Sequence, residues 1–399
     1  MGKSAAWTRL VVPALVCLVA APGAASGTTG RSGQPPAGWI RVKEKPHAGQ
    51  RKSQRHRTTS AFGWRLVRTT GIGGPKDARE GTNGKGTKGK PAAAPSRWFA
   101  GSSPINTPIP SNAEVDQESA AMVTALRADA GRYRWAIGAK RFTPTVWYAD
   151  ASTPRYDVPL SSPWSSVRMM YGVPIPAGAK PDESSDGHMT VIDRSSGCFY
   201  EFFVAARTAS GGWQSRWANR GLMSGSGIQA GGYSTRDTGF ANHAGLIRPE
   251  ELHAGVIDHA LTFSTTFTRP KGVVLPATAG GGTYTGPLPP GATTLPEGAR
   301  VQLDPRLDLD SLPLSSWQKT IARALQVYGM YLVDSGSLGL YAVNANSFPS
   351  NPYSSFWGDS NYAYLPTSLV SHLRVVKLGS QYDANALAYI APSPCATMR

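Results

Sequence analysis

The chain changes character near residue 100, and this change constrains the fold more than any other feature. Between Gly27 and Ala100 there are 16 Lys and Arg residues against three acidic residues, although the whole chain carries a net charge of +16. This stretch is rich in Gly, Pro, Ser, Thr and Lys, and it cannot bury enough apolar surface to offset the entropy of ordering. We therefore expect a basic, disordered leader over 27–100 and a nearly neutral globular domain over 101–399.

The charge distribution also limits the class of partner. Nucleic-acid binding requires basic residues clustered on the folded part of a protein. Here the excess of basic residues lies in the leader, and residues 101–399 are almost balanced. We therefore expect no nucleic-acid partner.

The first residues have the pattern of a signal peptide. Lys3 and Arg9 precede an apolar run from Leu10 to Ala21, and the small residues Gly23–Ala25 follow. Such a run is shorter than a bilayer-spanning helix, and the small residues suit signal peptidase. We expect cleavage of residues 1–26, no transmembrane segment, and a secreted protein that is extracellular or associated with the cell wall.

Cysteine usage agrees with export. Cys17 would leave with the signal peptide, so Cys198 and Cys395 remain. An even pair in an oxidising compartment favours a disulfide, although two unpaired thiols are the alternative. Two isolated thiols lack the spacing of zinc ligands, and no phosphate-binding glycine loop or metalloprotease motif occurs. We therefore expect no metal and no cofactor.

Frequent Pro and Gly residues after Ser103 favour strands joined by turns over a helical bundle. The fold class we expect is mainly β, an antiparallel two-sheet sandwich or jelly roll with a few short peripheral helices. The patterns predict hairpin turns at 193–197 and 334–336. They also predict helices over 114–129, from 249 and over 316–328, and strands over 145–149, 188–192, 198–205, 259–267, 328–333 and 338–343.

Ionisable residues within or beside apolar strands are the candidate site. A charged group in such surroundings costs free energy unless it has partners, so each of these residues requires an explanation. Taken singly, such a residue is more often hydrogen-bonded scaffolding than a catalyst. A shared cleft would explain them together, and the residues are Asp186, His188, Glu201, His259 and Asp334.

A pair of carboxylates, one with a raised pKa, is what glycoside hydrolysis requires. Glu201 lies in an aromatic strand and is the predicted acid, with Asp186 or Asp334 as its partner. A polysaccharide lyase that uses His188 or His259 as base is an alternative.

Aromatic side chains next to small polar residues suit stacking on sugar rings. The candidates for substrate binding are Trp213, Trp217, Tyr233 and Trp357, for which core packing is the competing interpretation. The expected partner is a polysaccharide or cell-wall glycan, bound by a monomer. A noncatalytic lectin-like or wall-binding protein would use the same polar residues to bond sugar hydroxyls.

Several segments resemble a family of exported actinobacterial proteins. The resemblance covers Ser103 to about Val343, it implies no particular activity, and its segments are 185–193, 245–252, 257–261 and 324–330. The expected architecture is similar in outline to carbohydrate-active sandwiches of the concanavalin A type. The Glu-x-Asp-x-Glu strand of the laminarinase family is missing from the sequence, which argues against that mechanism.

Overall fold

The structure is a computed structural model that describes residues 39–43, 64–68, 97–229, 234–381, 383 and 393–399. The predicted signal peptide, 1–26, and most of the predicted leader lie outside these residues. Within the leader, strand β1 (Trp39–Lys43) pairs antiparallel with β2 (Trp64–Arg68). No helix among the described residues is both long and apolar enough to cross a membrane.

Strands dominate the described chain, and helices are few. The further strands are β3 (Trp135–Gly138), β4 (Thr145–Ala149), β5 (Arg155–Pro159), β6 (Met169–Pro174), β7 (Met189–Asp193), β8 (Cys198–Arg207), β9 (Trp213–Leu222), β10 (Leu261–Thr265), β11 (Thr268–Val273), β12 (Leu295–Glu297), β13 (Arg300–Leu303), β14 (Met330–Ser335), β15 (Gly339–Tyr341), β16 (Tyr362–Leu365) and β17 (Leu373–Val375). The α-helices are α1 (Ser119–Tyr133), α2 (Pro249–Ala254), α3 (Ser316–Val327) and α4 (Ser354–Trp357). Short 3₁₀ segments cover Pro104–Asn106, Ala345–Ser347 and Thr367–His372.

Two larger sheets organise these strands. One has seven strands in the order β16-β3-β15-β10-β14-β13-β17, and the other has four in the order β4-β7-β8-β9. The mainly β class is therefore confirmed. An antiparallel sandwich is not confirmed, because β10 runs parallel to β14, β3 to β15, and β4 to β7.

Apolar side chains form three core layers, separated by the two sheets. The inner layer lies between the sheets, where Ile192 and Phe199 of the four-stranded sheet meet Val333 and Tyr341 of the seven-stranded sheet. Helices α1 and α3 cover the far face of the seven-stranded sheet. Strands β5 and β6 and the C-terminal residues cover the far face of the four-stranded sheet. Successive side chains of a strand point to opposite faces, so alternate residues serve different layers.

The helix predictions agree in outline with the structure. The amphipathic pattern after Ser315 gives α3, and a capping box between Ser315 and Gln318 begins it. The pattern predicted over 114–129 gives α1 a few residues later in the chain. Helix α2 begins at Pro249, as expected for Pro in a first turn.

The two predicted hairpins have different outcomes. Strands β7 and β8 pair antiparallel across the turn that ends at Gly197. Strands β14 and β15 flank Gly336 but do not pair, because β10 lies between them and bonds to both. The prediction of a second hairpin was wrong, since sequence proximity cannot reveal a distant strand that inserts between neighbours.

The predicted disulfide is confirmed. Cys198 at the start of β8 is bonded to Cys395, 197 residues later, with their Cα atoms 5.6 Å apart. Closing a loop of that length stabilises a fold by about 5 kcal/mol in the chain-entropy account. The bond ties the C-terminal residues to the four-stranded sheet, where the Arg220 guanidinium also donates to the carbonyl of Ala396 at 3.0 Å.

Candidate functional site

A bulge in β14 turns Asp334 toward the inner layer. Phe263 of β10 pairs with Leu332, and the next residue, Ser264, pairs with Asp334, so Val333 is an extra residue in β14. An extra residue of this kind changes the face on which the following side chains lie, and bulges are frequent beside active sites. Asp334 therefore shares a face with Val333 and points between the sheets.

Three more carboxylates lie within electrostatic reach of Asp334. Asp186 precedes β7, Asp237 lies in the loop after β9, and Glu297 ends β12. The charges of Asp237 and Asp186 act on Asp334, and those of Asp237 and Asp334 act on Glu297. We call Asp186, Asp237, Glu297 and Asp334 the carboxylate cluster.

Arg236 supplies the positive charge of this region. It is buried, its Nε and Nη2 donate to the side-chain and main-chain oxygens of Asn242 at 3.2 and 3.1 Å, and its guanidinium lies 4.3 Å from the ring centre of Tyr341. It makes no ion pair within the described part of the chain, where its Nη1 atom also has no hydrogen-bond partner. A buried guanidinium with an unused donor is costly, which points to a ligand or an ordered water as the missing partner.

The pKa values of the carboxylate cluster are all raised. Burial, followed by the charge of Asp237, raises the pKa of Asp334 from 3.8 to about 7, although Arg236 opposes the shift. Burial and the charge of Asp186 raise the pKa of Asp237 as well. Asp237 itself is exposed to solvent. Interacting carboxylates of this kind titrate as a pair.

Glu297 connects the carboxylate cluster to a glycine-rich loop. Its Oε2 accepts the backbone N–H groups of Gly281 and Gly282 at 2.8 and 3.2 Å, whereas its buried Oε1 has no partner among the described residues. Burial and the charges of Asp237 and Asp334 raise its pKa well above the ordinary value. A Cβ at Gly281 would overlap a carboxylate oxygen of Asp237, so only glycine permits this close approach.

Glu201 holds the loop that carries Arg236 and Asp237. Its side chain is fully buried on the same face of β8 as Phe199, as alternation predicts. One carboxylate oxygen accepts the Thr235 N–H at 3.1 Å and the other accepts the Asn242 N–H at 2.7 Å. Burial raises its pKa to about 7 even though both hydrogen bonds oppose this. Glu201 therefore holds both ends of the 235–242 loop, and its own side chain has no contact with solvent.

His188 lies beside the same loop and is neutral. Burial, with the charge of Arg236 in addition, lowers its pKa to about 3, and its Nδ1 is 3.3 Å from the Phe202 carbonyl oxygen. Arg236 therefore acts electrostatically on His188, Glu201, Asp186 and Asp334 alike. Four of the five predicted ionisable residues thus surround one guanidinium.

His259 lies in a different arrangement. Its Nε2 is 2.9 Å from Glu251 Oε1 and its Nδ1 is 2.9 Å from the carbonyl oxygen of Ala260, while Glu251 also pairs with Arg248. Burial would lower the pKa of His259, but Glu251 outweighs this effect and raises it. Arg248, Glu251 and His259 form what we call the Glu251 network, in which His259 is paired with Glu251.

The predicted stacking residues do not line the carboxylate cluster. Trp213 and Trp217 are each 2% exposed and pack in the core outside the four-stranded sheet, so neither ring has a free face for a sugar. Trp357 stacks on Tyr353 with ring centres 4.6 Å apart and packs beside the helices. These three residues have packing roles here, and Tyr233 lies outside the described residues.

Backbone strain is found next to the carboxylate cluster. Val204 has φ = 54°, a conformation that is costly for a β-branched residue. Its N–H donates to the carbonyl oxygen of Asp186 at 2.7 Å. Strain of this kind persists where the surroundings enforce it, and it concentrates at functional sites.

Sequence reasoning missed Arg236, Asp237 and Glu297, which lie in a loop or at the end of a short strand. The described residues contain no group of His, Cys, Asp or Glu side chains with metal-binding geometry. Comparisons with family models, curated proteins and solved structures gave no match for the chain. The site must therefore be interpreted from its own geometry.

Proposed function

We propose that this protein is a secreted glycoside hydrolase whose catalytic carboxylates are Asp237 and Asp334. The observation that carries the proposal is the raised pKa of both groups: burial and then the charge of Asp237 raise that of Asp334 to about 7, and burial and the charge of Asp186 raise that of Asp237. One proton shared by two carboxylates supplies a general acid and an ionised partner at the same pH. Glycosidic bond cleavage requires this combination.

Each residue then has a defined role. The protonated member of the pair gives its proton to the leaving glycosidic oxygen, and the ionised member acts as nucleophile or activates water. Asp237, which keeps solvent access, can contact an incoming substrate. Glu201 acts as a positioning residue for Arg236 and Asp237.

Asp186 also belongs to the carboxylate cluster, and its sequence context predicted it as a possible partner of Glu201. Its pKa is raised mainly by burial, while Arg236 favours its ionised form. Its charge raises the pKa values of Asp237 and Asp334, and thereby helps to keep the shared proton in place. We assign it an electrostatic role.

The alternatives receive less support. A lyase base must accept a proton near neutral pH, but the pKa of His188 is about 3 and His259 is engaged by Glu251. A lectin-like protein needs no raised carboxylate pKa, so the coupled carboxylates favour catalysis. Export is supported by the disulfide, which suits an oxidising compartment. The monomeric state, the signal peptide and the family resemblance stay predictions.

The test is a screen of neutral and acidic polysaccharides and cell-wall glycans for new reducing ends. We expect the wild-type protein to cleave at least one substrate, and Asp334→Asn and Asp237→Asn each to lower kcat at least 100-fold, the usual size of acid–base contributions. Asp308→Asn removes an exposed acid away from the site and should leave kcat unchanged. Full activity of both cluster variants would refute the assignment, and saturable binding without cleavage would favour the lectin-like alternative.

A further inference from the structure

A cavity lies away from the carboxylate cluster, none of whose residues lines it. Its volume is about 310 Å³, at the lower end of the range for small-molecule sites. Five separate regions of the chain contribute its walls: Trp98, residues 146–148 of β4, Arg194, Arg248 with Glu250, and Val343 with residues 347–348. The cavity therefore suits a ligand the size of one or two sugar rings.

Aromatic rings form much of the wall. Trp98, Trp147, Tyr148 and Phe348 all line the cavity, and Tyr148 is 43% exposed although it lies within a strand. The indole N–H of Trp147 is already bonded to the carbonyl oxygen of Lys180 at 2.9 Å, which fixes the orientation of that ring. Large aromatic faces that remain open to a cavity offer stacking surfaces to a flat or pyranose ring.

The charged groups of the cavity are predominantly positive. Arg194 lies 4.0 Å from the ring centre of Tyr148, and Arg248 lies 5.1 Å from that of Trp98. Glu250 is the acid in the wall, and it lies 3.6 Å from Arg248. Arg194 makes no ion pair with a carboxylate within the described part of the chain. An anionic group on the ligand would complement its exposed guanidinium with two parallel hydrogen bonds.

Arg248 makes this a built site rather than a surface patch. It is only 3% exposed, it is the N-cap residue of α2, and the Glu251 network holds it in place. Because Glu250 and Glu251 compensate the charge of Arg248, this residue gives the cavity a rigid wall, and Arg194 is the wall cation that has no ion pair among the described residues.

We propose that this cavity binds an acidic sugar, with the ring against the aromatic wall and the carboxylate on Arg194. The choice of a sugar rests on the proposed glycan partner, whereas the choice of an anion rests on the guanidinium group of Arg194, which has no ion pair among the described residues. The site would hold a glycan chain away from the cleavage site, which adds affinity through a second contact. Such a protein would prefer polysaccharides that contain uronic acids.

The test measures ligand binding by calorimetry, with glucuronate, glucose and benzoate as probes. We expect glucuronate to bind at least tenfold more tightly than glucose or benzoate. Arg194→Gln should remove this preference, and Arg194→Lys should restore part of it because the charge returns without the planar fork. Arg207→Gln is the matched control, since Arg207 is also exposed and lies over an aromatic ring, that of Trp213, but does not line the cavity.

Each outcome decides the proposal. Equal affinity for glucose and glucuronate, or no saturable binding of either, would overturn it. Tighter binding of benzoate would show that the site takes aromatic carboxylates instead. Because heat of binding does not depend on turnover, the same titration with Asp334→Asn separates this proposal from the proposed hydrolase. Unchanged cleavage by Asp334→Asn with retained glucuronate binding would contradict only the hydrolase, whereas loss of cleavage without glucuronate binding by either protein would contradict only the acidic-sugar site.

Discussion

Two groups of charged residues in this molecule, the Glu251 network and the carboxylate cluster, are built in opposite ways. In the Glu251 network every carboxylate oxygen of Glu251 has a partner, since Oε2 accepts the Arg248 N–H at 2.9 Å and Oε1 contacts Arg248 and His259. In the carboxylate cluster the acids outnumber the cation, and Glu297 Oε1 and Arg236 Nη1 have no partner among the described residues.

The direction of the pKa shifts expresses this difference. Burial alone would raise the pKa of Glu251, but His259 and Arg248 outweigh it and the pKa is lowered. Burial raises the pKa of Asp334 to about 7, because neighbouring acids add to the effect and Arg236 offsets only part of it. Ion pairing thus stabilises the charged form in one group, whereas the other favours protonation. Mutations should therefore have opposite effects on stability in the two groups.

The largest effect is expected in the Glu251 network. Glu251→Ala leaves Arg248 and His259 buried without their anion and should lower the free energy of unfolding by about 3–5 kcal/mol. Urea denaturation at pH 7 measures this loss. Glu250→Ala is the matched control, because Glu250 is the next residue, its side chain is 48% exposed and its ion pair is longer, at 3.6 Å. It should change stability by at most about 0.5 kcal/mol. Equal losses in the two variants would contradict a structural role for the network.

The carboxylate cluster should respond in the opposite direction. A carboxyl group whose folded pKa is raised contributes most at low pH, and that contribution is lost as the pH rises from about 4 through 7. Asp334→Asn removes the cost of ionising this group and should stabilise the protein by about 1–3 kcal/mol at pH 8. Asp308→Asn, which removes an exposed acid, should not.

Urea denaturation at pH 5 and pH 8 separates the effect of charge from a general effect of the substitution. The gain from Asp334→Asn should be large at pH 8 and should shrink toward pH 4, where the wild-type carboxyl group is also protonated in the folded state. A gain that is independent of pH, or a loss at pH 8, would show that Asp334 is not held protonated by its neighbours.

The sequence predicted local structure well where one strand or helix determines it. The aromatic and β-branched run at Thr145–Ala149 gave β4 with the correct bounds, and the even pair of cysteines gave the disulfide. Parallel pairing was not predictable in this way, because the placement of β10 between β14 and β15 depends on residues about 70 positions apart.

The candidate site was predictable only in part, for a related reason. Asp186, His188, Glu201 and Asp334 were recognisable as ionisable groups in apolar segments. Arg236 and Asp237 were not, because they lie in a loop that has no hydrophobic period. Trp213 and Trp217 were misjudged because β9 is buried where it pairs with β8. A bulge, a buried guanidinium and a glycine contact are products of tertiary packing, and no single segment encodes them.

The smallest of these effects is expected for Glu201, and it decides between two roles for that residue. Glu201→Gln keeps one oxygen for a backbone N–H but turns its amide N–H₂ toward the other, so we expect a loss of about 1–2 kcal/mol in stability. If Glu201 is a positioning residue, this substitution should lower kcat/KM moderately. The apparent pKa values of the pH–rate profile, which belong to Asp237 and Asp334, should not change. If Glu201 were itself the proton donor, Gln would abolish turnover and remove one limb of that profile. Loss of the limb would therefore transfer the acid role from the coupled aspartates back to Glu201.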